Sequence, residues 1–296
     1  IKYSKNYNSV LENPVMPGAK WFSGSELNYA QNLLKGDSDQ IAIISIGENI
    51  SPKTLTFKEL NHRVSSVQKE LFKLGVKKGT IVAGFVPNCA ETVISMLAVS
   101  SLGGVWTSCS PDFGTNGVVD RFGQVDPHIL ITSNGYSYNG KTFKLEEKVN
   151  GVLDSIDSIQ HIIEIEYVDI KSNFNHDSII SFGDILRDEQ TQPTFEQLPF
   201  DHPLFIMYSS GTTGPPKSIV HSAGGTLIQH MKEHQLHCDI KAGKSTMFWF
   251  TTCGWMMWNW LVSGLSSGST IVLYDGSPSY PGLERLWKMI DDFNIT

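Results

Sequence analysis

The sequence has little of what a nucleic-acid-binding, membrane-spanning or secreted protein needs. Acidic side chains outnumber basic ones by 30 to 23, so the formal net charge is −7 and the composition offers no basic face to a nucleic-acid backbone. No apolar run reaches the ~18 residues of a membrane span. The four cysteines form no CxxC pair, and the first residues do not resemble a leader peptide. These absences favour a cytosolic protein whose partners are small molecules.

The length and the two ends bear on how the chain is organised. With 296 residues, the chain is long enough for one large domain or two closely joined ones. It begins at Ile1 rather than at a methionine, and Phe293 and Ile295 are apolar enough to enter a further strand. We therefore expect a piece of a longer protein.

Apolar strands alternate with helices over much of the sequence. Thr56 and Glu59 form a capping-box pattern before an apolar stripe of helical period, and the apolar run 81–87 precedes a second cap pattern made by Asn88 and Glu91. Strands without polar alternation are typical of parallel sheets that helices cover on both faces. The predicted fold class is α/β, with parallel sheets flanked by helices.

A change of composition predicts two related sub-domains. The segment 187–203 is polar, contains three prolines and has no periodicity, as is typical of a surface connection. We predict a first sub-domain over residues 1–190 and the start of a second over residues 191–296. Helices are predicted over 144–153, 179–187 and about 222–237.

A segment rich in glycine and hydroxyls, YSSGTTGPPK at residues 208–217, lies between a predicted strand at 204–209 and the last of these helices. Its hydroxyls and backbone amides can donate hydrogen bonds, its glycines allow an anion to approach closely, and its lysine adds positive charge. It is not a Walker A loop, because two prolines rather than a glycine precede the lysine. The segment predicts a site for nucleotide phosphates on a different fold.

This segment resembles the phosphate-binding signature (S or T)SG(S or T)TGxPK of the adenylate-forming enzymes, which include acyl-CoA synthetases, luciferases and peptide-synthetase adenylation domains. The resemblance continues through WFSGSELNYAQNLL, SPDFGTNGVVDRFGQVDPHILIT, VHSAGGTLIQHMKEHQLH and TTCGWMMWNWLVSGLSSGSTIVLYDGSP, so it covers essentially the whole chain. The longer stretches are most similar to synthetases that activate acetoacetate, and next to those that activate acetate. The implied fold is the large N-terminal domain of an adenylate-forming enzyme.

The resemblance implies an AMP-forming acid-thiol ligase of lipid and fatty acid metabolism. Such enzymes convert a carboxylate, here acetoacetate, and Mg-ATP into an acyl-adenylate and pyrophosphate, and coenzyme A then displaces AMP to give a thioester. Fixed hydrogen-bond donors beside the leaving pyrophosphate suit this reaction. The implied catalytic residues are Thr212 and Lys217, and the residues implied to hold the phosphates of ATP are Ser209, Ser210, Gly211, Thr212, Thr213, Gly214 and Lys217. The implied cofactors are ATP, Mg²⁺ and coenzyme A, and no metal-ligating residue is predicted.

Two further sites are implied for the other substrates. Residues 254–258 match the segment that lines the acid pocket of short-chain acyl-CoA synthetases, which places Trp255, Met256 and Met257 around the acyl chain. Methionines form adaptable walls for a small apolar slot, and an indole N–H can donate to a carbonyl oxygen. The relatives that use acetate bind the 3′-phosphate of coenzyme A with a basic pair. The matching stretch YNGK keeps only Lys141, which becomes the candidate.

The chain lacks the family's later elements. The segments that hold adenine, magnesium and ribose, and the adenylation lysine of the C-terminal lid, would all lie beyond residue 296. We therefore expect that residues 1–296 alone do not catalyse the full reaction.

Several alternatives stay open at this stage. The acid could be acetate or another short-chain acid, and the nucleotide site could belong to a phosphotransferase or to a non-catalytic module. The stretch HMKEH at 230–234, with His237 one helical turn on, matches an inverted zinc-hydrolase motif, although histidines on a half-exposed helix face would give the same pattern. Trp258 and Trp260 could line the pocket or belong to the ordinary core.

Overall fold

A computed structural model describes residues 1–186, 191–209 and 214–296. Its central element is a seven-stranded sheet, parallel throughout except for an antiparallel strand at one edge. The strands, numbered along the chain and given in spatial order, are β12 (Ile179–Ser181), β11 (His161–Ile165), β8 (Ile129–Ser133), β6 (Ile81–Phe85), β7 (Val105–Cys109), β14 (Pro203–Ser209) and β15 (Lys217–Ser222). The central strands are apolar and buried on both faces, which explains their continuous apolar runs.

A second sheet contains four strands. Its spatial order is β16 (Thr246–Phe248), β17 (Thr270–Asp275), β4 (Ile41–Gly47) and β5 (Ile50–Thr56), and only β5 is antiparallel to its neighbour. Two-stranded ribbons complete the described strands: β1 (Ser9–Glu12) with β2 (Lys20–Ser23), β3 (Glu26–Leu27) with β13 (Leu198–Pro199), and β9 (Gly135–Tyr138) with β10 (Lys141–Lys144).

Helices cover both faces of both sheets. They are α1 (Tyr29–Leu33), α2 (Phe57–Lys73), α3 (Ala90–Ser101), α4 (Thr115–Phe122), α5 (Glu146–Leu153), α6 (Phe182–Ile185), α7 (Ala223–Lys232), α8 (Met256–Ser263) and α9 (Arg285–Phe293), with a π-helical turn at Glu233–His237 and a 3-10 turn at Gly264–Ser267. On β6, Val82 faces a core shared with α2, α3 and α8, whereas Ala83 faces α4 and α5. On β4, Ile43 joins the same central core and Ile44 faces α9. The predicted α/β class, with parallel sheets between helices, is confirmed.

One predicted helix cap is confirmed and the other is wrong. The Thr56 side chain accepts from the backbone N–H of Glu59, and the Glu59 side chain accepts from the backbone of Thr56, as a capping box requires. Helix α3 is instead capped by Cys89, without a side-chain hydrogen bond. Asn88 does not cap it because its buried side chain binds Trp258, far along the chain.

The helix predicted over 179–187 is wrong in its first part. Residues 179–181 pair with β11 as the edge strand β12, and only Phe182–Ile185 are helical among the residues described there. An open strand edge next to an apolar IIS sequence accounts for this difference, because backbone pairing outweighs a weak local helix preference. The helices predicted over 144–153 and about 222–237 are confirmed by α5 and by α7 with its π-helical extension.

Each sheet combines strands from both sides of residue 190. Strands β14 and β15 complete the seven-stranded sheet, and in the second sheet β17 pairs with β4 and β16 pairs with β17. The division into sub-domains at 1–190 and 191–296 stays a prediction. In the ranges that the structure describes, no helix is long and apolar enough to cross a membrane.

Candidate active site

The predicted phosphate segment joins the two strands of a β-hairpin. Ser209 ends β14 and lies opposite Lys217, the first residue of β15. Residues 217–222 pair with β14 as an edge strand that the sequence patterns did not predict, and the helix predicted from about residue 222 begins at Ala223. Ser209, Gly214 and Lys217 lie in the described chain. Four other predicted phosphate-binding residues lie outside the described residues: Ser210, Gly211, Thr212 and Thr213.

The end of β14 at Ser209 lies where ligands bind in many α/β proteins. Strands β7 and β14 are parallel, so their carboxyl ends meet at one edge of the sheet. Gly214 has a φ of +119°, a conformation that residues with a side chain rarely adopt, and a Cβ added to it would meet nothing within 4 Å. Gly214 is therefore required by the backbone conformation. Lys217 is exposed, so its ammonium is free to approach a ligand at this edge.

One side chain ties the hairpin to the end of helix α4. The side-chain nitrogen of Gln124 donates to the carbonyl of Pro216 at 2.8 Å, and its oxygen accepts from the hydroxyl of Ser218 at 3.0 Å. Both partners flank Lys217. The sequence gives no sign of this role, because Gln124 lies 92 residues from Pro216.

An arginine lies beneath the hairpin. The Arg121 guanidinium is 4.7 Å from the ring centroid of Phe113 and 5.9 Å from that of Tyr208, the residue before Ser209. The Thr107 hydroxyl donates to the Tyr208 hydroxyl at 2.9 Å, and burial raises the pKa of this phenol. A cation stacked on two aromatic rings thus adds positive charge to the base of the hairpin.

The segment of the predicted acid pocket crosses the same edge of the sheet. The hydroxyl of Ser108, on β7, donates to the carbonyl of Cys253 at 2.7 Å. A Cβ added to Gly254 would lie 3.4 Å from the ring of Phe113. Gly254 and Tyr208 line one small cavity of about 10 Å³. The structure therefore brings the phosphate hairpin and the predicted pocket segment together.

The predicted pocket residues form the start of helix α8. Trp255 is 61% exposed and Met256 is 46% exposed, while Met257 is half-buried against the central core. Trp258 and Trp260 are buried, so their assignment to the core is confirmed. The role of the three preceding residues stays a prediction.

A buried polar network holds this segment in place. The indole N–H of Trp258 donates to the side-chain oxygen of Asn88 at 2.9 Å, and the amide group of Asn88 donates to the carbonyls of Thr251 and Tyr274. The backbone N–H of Asn88 donates to the carboxylate of Asp275 at 3.0 Å. Burial raises the pKa of Asp275 to about 6.

Lys141 lies on a separate hairpin. It is the exposed first residue of β10, directly after the turn formed by Asn139 and Gly140. This turn packs against Tyr280, because a Cβ added to Gly140 would lie 2.7 Å from the tyrosine ring. Lys141 is therefore accessible to a ligand, and its role stays a prediction.

The histidines of the HMKEH stretch are structural. His230 and His234 are buried, and Nδ1 of His230 is 2.7 Å from the hydroxyl of Ser263. Burial lowers the pKa of each imidazole to about 4. His237 is exposed, and no group of three or more His, Cys, Asp or Glu side chains within 1–186, 191–209 and 214–296 is arranged to hold a metal ion. The zinc-hydrolase alternative is not supported.

Comparison with known proteins places this geometry in a family. Residues 31–296 match the family described as AMP-binding enzyme. The chain is 44% identical to acetoacetyl-CoA synthetase of Xenopus tropicalis, an alignment that covers 100% of this chain and 46% of that protein. It is 40% identical to malonamoyl-CoA synthetase of Penicillium aethiopicum, over 95% of this chain and 41% of that protein. The solved acetoacetyl-CoA synthetase from Streptomyces lividans superposes with a TM-score of 0.96 at 41% identity, over 100% of this chain and 46% of that one.

The chain thus spans slightly less than half the length of the relatives that it matches. The shared fold includes both sheets and the hairpin that carries Ser209 and Lys217. Because the family match extends over 31–296, the chain belongs to the family of AMP-binding enzymes.

Proposed function

We propose that the protein is an acid-thiol ligase that uses ATP to activate a short carboxylic acid, acetoacetate, and transfers the acyl group to coenzyme A. The observation that carries this proposal is the hairpin between Ser209 and Lys217, which lies against the Gly254 segment at one sheet edge. The acetoacetyl-CoA synthetases among the relatives support the choice of acid.

The proposed reaction has two steps. A carboxylate oxygen of the acid attacks the α-phosphorus of ATP and the bond to pyrophosphate breaks, giving the acyl-adenylate. The sulfur of coenzyme A, having lost its proton, then attacks the acyl carbon, and AMP leaves with the electron pair. Negative charge grows on the pyrophosphate in the first step, so donors fixed beside it accelerate that step.

We assign the pyrophosphate site to residues 209–214 and to Lys217. The catalytic donors would be Thr212 and Lys217, and Arg121 beneath the hairpin would add to the positive potential. Mg²⁺, when bound, would supply further positive charge to the phosphates. Lys141 would meet the 3′-phosphate of coenzyme A.

The acid would lie against Trp255, Met256 and Met257. Acetoacetate and malonamate share one skeleton, a carboxylate whose third carbon is a carbonyl, and both names occur among the relatives. Trp255 is exposed at the start of α8, so its indole N–H is available to donate to that carbonyl. We therefore propose 3-oxo carboxylates with a small end group as the substrate class.

We also propose that the protein works in the cytosol, within the metabolism of short acyl groups. All four cysteines are free thiols, and three of them are buried, as suits a reducing compartment.

Exchange of labelled pyrophosphate into ATP tests the function. In the full-length protein, we expect exchange that depends on an added acid, fastest with acetoacetate or malonamate and slower with butyrate, which has the same length but no 3-oxo group. No exchange with any acid, as a phosphotransferase that releases ADP would give, contradicts the ligase proposal, and so does exchange that does not depend on the acid. Faster exchange with acetate or butyrate than with acetoacetate contradicts only the choice of acid.

Lys217→Ala tests the site. We expect it to slow exchange about 100-fold, the scale for the loss of one donor to a transition state. Lys53→Ala removes the same charge from an exposed position on β5 and should leave the rate unchanged. Equal exchange rates for both variants would contradict the assignment of Lys217 to the pyrophosphate site.

A further inference from the structure

A buried carboxylate binds the backbone of two loops near Lys141. Glu48 is 4% exposed and lies at the end of β4. Its Oε1 accepts from the backbone N–H of Asn139 at 2.9 Å and from that of Ser277, and its Oε2 accepts from the N–H of Gly140 at 2.8 Å. One side chain thus links the turn before Lys141 to the loop after β17.

The turn that Glu48 binds has a backbone conformation that few residues adopt. Asn139 and Gly140 have φ values of 52° and 75°, so both lie in the left-handed region, as a two-residue hairpin turn requires. The turn also packs against Tyr280, whose ring would lie 2.7 Å from a Cβ added to Gly140. A carboxylate and an aromatic ring therefore both contact the turn.

We propose that Glu48 is a positioning residue for the coenzyme A site: it fixes the turn of the β9–β10 hairpin and thereby the place of Lys141. This inference rests on the proposed function, in which Lys141 meets the 3′-phosphate. The Lys141 side chain is exposed, so the position of its ammonium group depends on the backbone of the hairpin that carries it. The turn is anchored by charge-assisted hydrogen bonds, which are stronger than neutral ones.

A carboxylate is required at this position because all three partners are donors. A glutamine would direct its NH₂ group at one or more of the N–H groups of Asn139, Gly140 and Ser277, since only its oxygen accepts. Glu48→Gln therefore changes one oxygen to nitrogen, keeps the shape of the side chain, and releases the turn.

The test compares the two half-reactions in the full-length protein. For Glu48→Gln we expect the KM for coenzyme A to rise about tenfold, the factor that corresponds to about 1.4 kcal/mol. Pyrophosphate exchange needs no coenzyme A, and we expect it to stay within about twofold. An unchanged KM, or an equal loss in both half-reactions, would overturn the proposal.

Two further variants sharpen the test. Glu147→Gln makes the same chemical change at an exposed position on α5 and should leave the KM unchanged. In a Lys141→Ala background, Glu48→Gln should add little to the rise in KM, because both changes remove the same contact. Full additivity of the two effects would show that Glu48 does not act through Lys141 and would overturn the proposal.

Two measurements keep the proposal testable if the first variant folds poorly or the protein activates no acid. Gly140→Ala perturbs the same turn at its contact with Tyr280 and should raise the KM for coenzyme A in the same way; an unchanged KM would overturn the proposal.

Titration of coenzyme A alone separates this proposal from the ligase proposal. Weaker binding by Glu48→Gln than by the wild type supports the positioning role even without acid activation, and equal binding overturns it.

Discussion

The indole N–H of Trp258 donates a 2.9 Å hydrogen bond to the side chain of Asn88, which lies 170 residues earlier in the chain. Asn88 also binds the carbonyls of Thr251 and Tyr274 and the carboxylate of Asp275. One amide side chain thus fixes helix α8 against the carboxyl ends of β6 and β17. The predicted pocket residues lie at the start of that helix, so their position depends on this network.

Asn88→Ala tests how much the network stabilises the fold. We expect the free energy of unfolding to fall by about 2–4 kcal/mol, because a buried indole N–H and two buried carbonyls lose their partner. Urea unfolding followed by tryptophan fluorescence measures this. Asn6→Ala, at an exposed residue whose side chain accepts from the backbone N–H of the next residue, Tyr7, should change the free energy of unfolding by less than about 0.5 kcal/mol. Equal effects of the two variants would contradict this role for Asn88.

Asp275 makes a second, pH-dependent prediction. Burial raises the pKa of its carboxyl from an ordinary 3.8 to about 6. The folded state therefore binds this proton more tightly than the unfolded state. The resulting contribution to the free energy of unfolding is full below about pH 4, and about 3 kcal/mol of it is lost as the pH rises to about 6. Asp275→Asn removes the charge and keeps an acceptor for Asn88.

For Asp275→Asn, the gain in unfolding free energy over the wild type should therefore grow between pH 4 and pH 6 and reach about 1–3 kcal/mol at pH 7.5. Urea unfolding at each pH gives the difference between the two curves. Asp157→Asn changes an exposed carboxyl and should show no such trend. A variant less stable than the wild type at pH 7.5 would mean that the Asp275 charge stabilises the fold.

Local patterns predicted the elements whose determinants lie within a few residues. The capping box at Thr56 and Glu59 was readable because both hydrogen bonds join neighbours. The apolar run of β6 was readable because strands covered on both faces have no polar alternation. Fold class and the place of the phosphate segment follow from such signals.

Features that depend on distant partners were missed. Asn88 has the sequence of a helix cap but binds Trp258 instead. Residues 217–222 form a strand because β14 offers them an edge. Glu48 and Gln124 look like ordinary polar residues in the sequence, and only the approach of loops about 90 residues away gives them their partners.

His234 makes a third prediction. Neither ring nitrogen of this buried residue has a partner at hydrogen-bonding geometry among the residues described. Burial lowers its pKa to about 4, and the nearby backbone of Trp260 offsets only part of that fall. As the pH falls, the imidazole takes up a proton in the unfolded state before it does so in the folded state. Its contribution to the free energy of unfolding is therefore full above about pH 6.5 and is lost as the pH falls towards 4. His234→Phe removes this loss and keeps a ring edge-on to Trp260, at 4.6 Å between centroids in the wild type.

We expect His234→Phe to raise the free energy of unfolding by about 1–2 kcal/mol at pH 5 and by less at pH 7.5. Thermal and urea unfolding at the two pH values measure it. His237→Phe, in the same π-helical turn but exposed, is the control and should show no pH-dependent gain. If His234→Phe is destabilising at both pH values, the imidazole has a polar partner that a phenyl ring cannot replace.

Gln124 makes the last prediction, which concerns the nucleotide site. Its two hydrogen bonds to the hairpin hold Pro216 and Ser218 on either side of Lys217, so Gln124→Ala should leave the hairpin less ordered. In the proposed ligase, a less ordered hairpin must be fixed when ATP binds, and we expect the KM for ATP in pyrophosphate exchange to rise about three- to tenfold. Because Gln124 is exposed, the melting temperature should change little.

The matched control is Gln160→Ala, which removes an exposed glutamine side chain whose amide group donates to the carbonyls of the nearby residues 157 and 158. It should change neither the KM for ATP nor the melting temperature. Measuring exchange at saturating acetoacetate over a range of ATP concentrations separates KM from kcat. A fall in kcat at constant KM would mean that Gln124 acts on the transition state rather than on the order of the free hairpin. An unchanged KM and kcat would mean that β14 pairing alone fixes Lys217.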